Sequence, residues 1–446
     1  MNQLLVMASA WLVGLVVSWL LVGRSLGRPW PGTKRRALSI GLLVLGSSLV
    51  AGTAGAQDPR RISLDEAIAL FAEFNPDLRE ARYRAAELAA LARQAGVYPN
   101  PTFNLSHEPG SRIGEPESET YFTLSQRFES PGKRRARRDA ADRIAKAAGE
   151  GLSADSLRLV FDVKQAWAEA VAAEREVEVL DQVTQLFRRA DIDTREMRDQ
   201  GEVSGYALRR LHVERARYEG RLAIRRLDVD ESRRRLSLMI LREGAEAPVA
   251  PAIDDGPAPR LPALEDALET ARANRAEIRE ARAEMEAAGA ELALARRERT
   301  PDPTVTGGYV RQTGGYSGIF LGLSAALPVF DRNRGAIDAR QALVHAAETK
   351  LIAVERQVDA DVRRAFAAHE SLDRRRALIS DALLGDAEAM LSSARSAYAE
   401  GEMSLVELLD AAEAYLGARL STIELDSDLR IVSYDLLRAM GGTLIR

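Results

Sequence analysis

The residues with the strongest claim to chemistry in this chain are carboxylates gathered at two glycine turns. Asp199 and Glu202 lie beside Gly201, Glu400 and Glu402 flank Gly401, and Glu407 and Asp410 follow just beyond. Glu407 and Asp410 are three residues apart, so in a helix they share a face. Such a pair concentrates negative charge, as any solvated acidic helix face does, and it lacks the partners that hydrolysis or group transfer needs. The four histidines, His107, His212, His345 and His369, are far apart, no pair has the i, i+4 spacing of a helical metal site, and there is no cysteine. No phosphate loop and no Ser/His/Asp grouping stands out. These residues argue against an enzyme, a metal site or a bound cofactor, and any energy that the function needs must come from a partner.

The two turns are copies, and so is much of what surrounds them. Gly201-Glu202-Val203-Ser204 returns 200 residues later as Gly401-Glu402-Met403-Ser404, Asp77 to Arg82 as Glu277 to Arg282, and Leu64 to Ile68 as Leu264 to Leu268. Pro99-Asn100-Pro101-Thr102 returns as Pro301-Asp302-Pro303-Thr304, shifted by two more. That period is too long for a solenoid. It predicts two similar half-molecules, residues 57–241 and 263–446, joined by a Pro/Ala/Gly-rich linker over 242–262. A duplicated chain lets a few copies close a symmetric ring.

Long helices must carry the turns. Hydrophobic residues make up 46% of the chain but aromatics only 5%, with Ala, Leu, Arg and Glu dominant, a composition of long helices rather than of a compact catalytic core. Helical composition runs from Pro76 to Val97, Lys133 to about Arg198 and Val203 to Leu241, then from Ala263 to Arg299, Gly335 to Glu400 and Met403 to Met440. The middle helix of each half is expected to span about 65 residues, roughly 100 Å. Leu351, Val354, Val358, Val362 and Phe366 fall at helical spacing, which predicts side-by-side packing.

The N-terminus reads as an export signal. Arg35-Arg36 precede the apolar run Ala37 to Val50, and Ala54-Gly55-Ala56 resembles a cleavage site, so residues 1–56 are expected to be a leader and the mature chain to begin near Gln57. A second apolar stretch, Leu4 to Val22, is long enough to span a bilayer; the expectation is that residues 1–33 precede the true start, the alternative being a genuine anchor. The leader holds five basic and no acidic side chains, which leaves 57 basic against 66 acidic residues and a net charge of −9. That balance argues against nucleic-acid binding. Without cysteine, disulfides and a lipid on an N-terminal thiol are both impossible.

Four short segments break the helical pattern. Pro101 to Pro109, Glu119 to Glu129, Pro303 to Gln312 and Tyr316 to Leu327 are about ten residues each, with period-two alternation, the length and pattern of membrane-spanning β-strands. Gly110 to Ser118 and Thr313 to Gly315 have the composition of aqueous turns. Four strands cannot close a barrel, and lipid does not tolerate open sheet edges. Several chains must therefore pool their strands: two give eight, three give twelve.

These residues resemble the TolC-type outer-membrane factors, and within them the CzcC-like branch of heavy-metal and cation efflux systems. The resemblance rests on Leu64-Asp65-Glu66-Ala67 with Asn75-Pro76-Asp77-Leu78, Tyr98-Pro99-Asn100-Pro101, Glu119 to Gln126 running into Pro131-Gly132-Lys133-Arg134, and Gly401 to Ser404 followed by Glu407 to Ala411. It covers residues 62 to 442. It implies a mainly α protein with membrane β: a duplicated TolC-like protomer, three of which form a twelve-stranded outer-membrane β-barrel continued by a long periplasmic α-helical barrel. It implies a homotrimer in outer-membrane lipid, docked through a periplasmic adaptor, or membrane fusion protein, onto an inner-membrane RND-type pump. Such a duct passively passes substrates outward, metal cations in this branch. A drug-efflux or type I protein-secretion duct is the alternative within transport. A periplasmic coiled-coil adaptor is the alternative from another class; it would need one helical hairpin and no repeated strand pairs.

The same resemblance assigns roles. Glu407 and Asp410 match two acidic positions that form rings at a periplasmic constriction, and Tyr398 matches a gate tyrosine. Met403 stands where the pattern has an arginine and Ala207 where it has an aspartate, so an ionic link at that point is absent unless Arg198, Arg209 or Arg210 supplies it. Gly201, Val203, Ser204, Gly401, Met403, Ser404 and Leu405 are expected to meet the adaptor. No cofactor and no nucleic acid are implied.

Overall fold

An Asn-Pro step sets the first bend of the fold. Ser63 opens helix α1 (Leu64–Phe74) by accepting a hydrogen bond from the Glu66 N–H at 3.2 Å, and Asn75 ends it in extended conformation. The residue before a proline avoids the helical region. Asn75 also accepts from the Leu78 N–H at 3.0 Å, so one residue ends α1 and caps α2 (Pro76–Ala95), with Pro76 at its first position. The computed structural model describes residues 60–112, 115–240, 249–252, 262–379 and 381–442. The expected leader and start site (1–56) and most of the expected linker (242–262) lie outside them.

After α2 come strands β2 (Thr102–Arg112) and β3 (Glu115–Arg127), helix α3 (Lys133–Asp199) and helix α4 (Gly205–Ile240). The second half repeats the order: α5 (Leu264–Asn274), α6 (Ala276–Glu298), β5 (Thr304–Gln312), β6 (Ser317–Ser324), α7 (Arg334–Leu378), α8 (Asp381–Ala399) and α9 (Leu405–Ala439). Two three-residue strands, β1 (Arg60–Ile62) and β4 (Val249–Pro251), pair in parallel and tie the start of the first repeat to its end. The 67 residues of α3 extend about 100 Å.

The structure corrects the expected boundaries at four places. The single helix expected over Ala263–Arg299 breaks at Arg275, the counterpart of Asn75. There the guanidinium is buried and contacts Glu277 at 2.7 Å and the Arg438 carbonyl at 3.2 Å, so tertiary contacts hold a bend that carries no capping side chain of its own. The expected 65-residue helix of the second half is two helices, of 45 and 19 residues, parted at Ile379. The expected loop Gly110–Ser118 is mostly strand, because the ladder continues to Arg112 opposite Glu115. Pro109 is tolerated there because β2 is an edge strand. Finally, β1, β4 and α1 were absent from the expected elements.

The four long strands form one antiparallel sheet in the order β2-β3-β5-β6. Its register places Phe103 opposite Leu124 and Leu105 opposite Phe122, then Phe122 opposite Tyr309 and Tyr309 opposite Ile319. These side chains share one exposed, apolar face. The other face carries Thr102, Asn104, Ser106, Thr123, Ser125 and Thr306, with Ser125 and Thr306 hydroxyls 2.9 Å apart. Gly308 permits the close crossing of β3 and β5, since a Cβ there would lie 2.5 Å from the Phe122 carbonyl oxygen.

Three apolar clusters hold the helices. One gathers Ile62, Phe71, Trp167, Leu236 and Ile240; a second gathers Leu268, Ile278, Val362, Leu436 and Met440. Leu236 and Leu436, like Ile240 and Met440, are 200 residues apart, so the duplication persists in the packing. The third cluster joins both hairpin ends, with Phe187, Leu211 and Tyr218 from α3 and α4 against Tyr398, Leu408 and Leu416 from α8 and α9.

Candidate functional site

Each helical hairpin turns on a glycine in the left-handed region, Gly201 at φ 82° and Gly401 at φ 78°. The Glu202 N–H returns to the Met197 carbonyl and the Glu402 N–H to the Ala397 carbonyl, each at 2.9 Å, closing the last turns of α3 and α8. The next helix then starts at a serine. Ser404 caps α9 in a reciprocal box with Glu407: its backbone N–H donates to the Glu407 carboxylate at 2.8 Å, and its hydroxyl does so at 2.7 Å.

This box changes what Glu407 is. Its carboxylate is fully exposed, and the Ser404 hydroxyl and N–H hold it below the usual carboxylate range. Within one chain this is opposite to the rise that mutual repulsion in a ring would bring. Asp410 is exposed on the same side of α9, while Leu408, Ala411 and Ala412 between and beyond them are buried. The pair is therefore presented outward by a helix whose opposite side is locked in the core.

Tyr398 lies in that core. Thr194 donates its hydroxyl to the Ala190 carbonyl at 2.6 Å, which leaves its oxygen to accept from the Tyr398 hydroxyl. Burial raises the phenol above its ordinary range. Met403 and Ala207 are half-buried against the same apolar cluster, so apolar packing occupies the position where the family pattern places an ionic link. Arg198 bonds Asp199 at 2.6 Å. Leu405 is buried and Val203 is half-buried, whereas Gly201, Ser204, Gly401 and Ser404 are exposed. The predicted residues are thus brought to one end of the helices, divided between a packed layer and a solvent-facing rim.

Two rim residues escaped the sequence reading. Tyr206 and Val406, again 200 apart, are exposed in the first turns of α4 and α9. Their signal was positional: each follows the hairpin serine by two and precedes a buried leucine, Leu208 or Leu408, by two.

A second constellation, also missed, lies where strands meet helices. Asp302, the counterpart of Asn100, is buried and receives Lys133 Nζ at 2.7 Å, Arg127 at 2.6 Å and the Ser130 N–H at 2.9 Å. Burial disfavours its charge, but these donors outweigh that and hold the carboxyl far below its ordinary value. Beside it, Arg137 bonds Glu129 and the Ala95 carbonyl. Among the described residues, no three His, Asp or Glu side chains gather as a metal-ligand set. His212 instead contacts buried Asp191 at 2.8 Å, and Arg195 and Arg215 pair with the same carboxylate at 2.8 and 2.9 Å.

Comparison with known proteins agrees with this architecture. The family model for outer membrane efflux proteins matches residues 267–442, the greater part of the second repeat. The nickel-cobalt-cadmium resistance protein NccC of Alcaligenes xylosoxydans xylosoxydans is 26% identical over 370 residues, 79% of each chain. Among solved structures, CusC superposes with a TM-score of 0.72 at 19% identity, over 86% of this chain and 94% of that one. The CmeC outer membrane channel of Campylobacter jejuni gives 0.73 at 17% identity, over 85% of each chain. A family model matched over most of the second repeat, a relative alignable over most of the chain and a shared duplicated fold all make this chain similar to the outer membrane efflux proteins, and it has the fold of their solved channels.

Proposed function

We propose that three copies assemble into the conducting channel, and that it is the exit duct of a tripartite system expelling divalent metal cations. The observation that carries the assembly is the sheet itself. It has four strands, an exposed apolar face, and edges β2 and β6 that have no second strand partner among the described residues. Lipid forbids such edges, so strands from neighbouring copies must cover them. Twelve strands then close the barrel, and the long hairpins α3–α4 and α8–α9 continue it.

The rim at Gly201, Ser204, Gly401 and Ser404, extended by Tyr206 and Val406, meets a periplasmic adaptor, and an inner-membrane RND-type pump supplies the energy. Glu407 and Asp410, repeated threefold, form the acidic constriction that selects cations. The metal substrate is supported by NccC, a nickel-cobalt-cadmium resistance protein that aligns over most of the chain. A deletion strain complemented with the gene tests the reading. Restored resistance to nickel, cobalt or cadmium is expected; restoration of drug resistance alone would replace metal cations with organic substrates.

A further inference from the structure

At the junction of sheet and helices the surface is strongly basic. Residues 127–138, 296–304 and 327–334 together carry eleven basic against four acidic side chains, in a chain whose net charge is −4. Glu129 and Asp302 are consumed by Arg137, Lys133 and Arg127. Arg299, Arg332 and Arg334 are exposed and have no carboxylate partner among the described residues.

Apolar side chains adjoin these cations. Phe330 is 100% exposed, and Leu327, Val329 and Phe128 are also exposed. An open cleft of about 950 Å³ brings the two kinds of surface together: its lining includes Arg127, Lys133 and Arg299 with Leu327, Pro328 and Phe330, and also the carboxylates of Glu298, Asp302 and Asp331. It lies at the helix-side end of β3, β5 and β6, where the apolar face of the sheet stops. A ligand that fits must carry a negative headgroup and an apolar body, and at that depth the bilayer supplies one.

We propose that this collar binds anionic phospholipid of the periplasm-facing leaflet, with the headgroup phosphate at Arg299 in the cleft, the exposed Arg332 and Arg334 of the adjoining segment adding to the positive field, and the upper acyl chain against Leu327 and Phe330. Basic residues at a membrane surface attract anionic lipid, and the attraction weakens with salt. A chain with no cysteine has no thiol-linked lipid, so this contact is non-covalent. The occupant competing for the cleft is a neighbouring copy of the chain.

The full assembled protein in detergent, offered equal amounts of phosphatidylglycerol and phosphatidylcholine, is read by native mass spectrometry. Retained phosphatidylglycerol should exceed phosphatidylcholine at least about fivefold, the contribution expected of a single arginine, and the excess should shrink as salt is raised. The Arg299→Gln, Arg332→Gln, Arg334→Gln triple variant should keep the oligomeric mass and lose the preference, while the corresponding triple Arg→Lys variant keeps most of it. Equal retention of both lipids by the parent, a preference untouched in the glutamine variant, or a preference indifferent to salt overturns the proposal. Loss of oligomer in the glutamine variant, with no lipid preference in the parent, assigns the collar to the neighbouring copy.

Discussion

At Asp302 one carboxylate ties the sheet to the helices, and its charge is the reason. It accepts from Lys133, Arg127 and the Ser130 N–H in a buried joint, and Lys133 is itself nearly buried. Asp302→Asn would leave that ammonium without its counter-charge, a change that costs about 3–5 kcal/mol. The pH dependence follows from the direction of the shift. A carboxyl held below its ordinary value of 3.8 contributes stability that is present above that value and lost as the pH falls through the folded-state pKa. Thermal unfolding followed by circular dichroism should therefore show the full parent-to-variant gap at neutral pH and a narrowing gap only in strong acid. At the proposed gate, the capping box dictates the variant. Glu407→Ala would remove the N3 half of the capping box along with the charge, whereas glutamine keeps the box. The Glu407→Gln, Asp410→Asn channel in planar bilayers should stay assembled and lose cation selectivity and block by multivalent cations from the periplasmic side. Unchanged selectivity and block would mean that these carboxylates do not line the pore.

Elements were legible where chemistry and period agreed, and illegible where a contact distant in sequence decided the outcome. Strand cores were read from alternation, and Gly201 and Gly401 were read as left-handed turns because few other residues take that backbone at low cost. Asn75 carries its own bend signal, a capping side chain followed by proline, although the helix that precedes it was not among the expected elements. Arg275 announced nothing, since its bend depends on Glu277, Asp361 and the Arg438 carbonyl; only laying the second repeat over the first would have marked it. The Gly110-to-Arg112 end of β2 was read as loop because the segment is rich in turn formers, yet ladder pairing uses the backbone. Likewise, the inward setting of Tyr398 and Leu405 was invisible, because it depends on packing between the two repeats. Gly401 carries the element-scale prediction. A valine there must take φ near 78° at a cost of about 1–2 kcal/mol, and nothing lies within 4 Å of the added Cβ. Gly401→Val should therefore leave the assembled protein in the outer membrane while distorting the rim, so efflux should fall sharply at normal protein levels. Unimpaired resistance in that variant would show that the second turn is not a docking surface.

Across the whole molecule, the duplication makes a register prediction that the single chain does not display. Inside the chain, β3 of the first repeat pairs with β5 of the second, and Ser125 faces Thr306. In the hairpins Thr102 stands opposite Ser125 and Thr304 opposite Ser324, so Ser324 is the counterpart of Ser125 and Asn104 that of Thr306. If a ring closes by repeating the internal junction, β6 of one copy pairs with β2 of the next, and Ser324 faces Asn104 across that seam. The absence of cysteine makes the test clean. With Ser324→Cys and Asn104→Cys in one chain, mild oxidation should yield covalent trimers on denaturing gels, each copy bonded to two neighbours. The Ser125→Cys, Thr306→Cys pair should bond only within the chain and run as monomer. Moving one partner to Leu105 should abolish the cross-link, because a one-residue slip turns the side chain to the opposite face of the sheet. Monomers from the Ser324–Asn104 pair would mean that the edges are covered in some other way, and that the internal junction is not the template for the seam between copies.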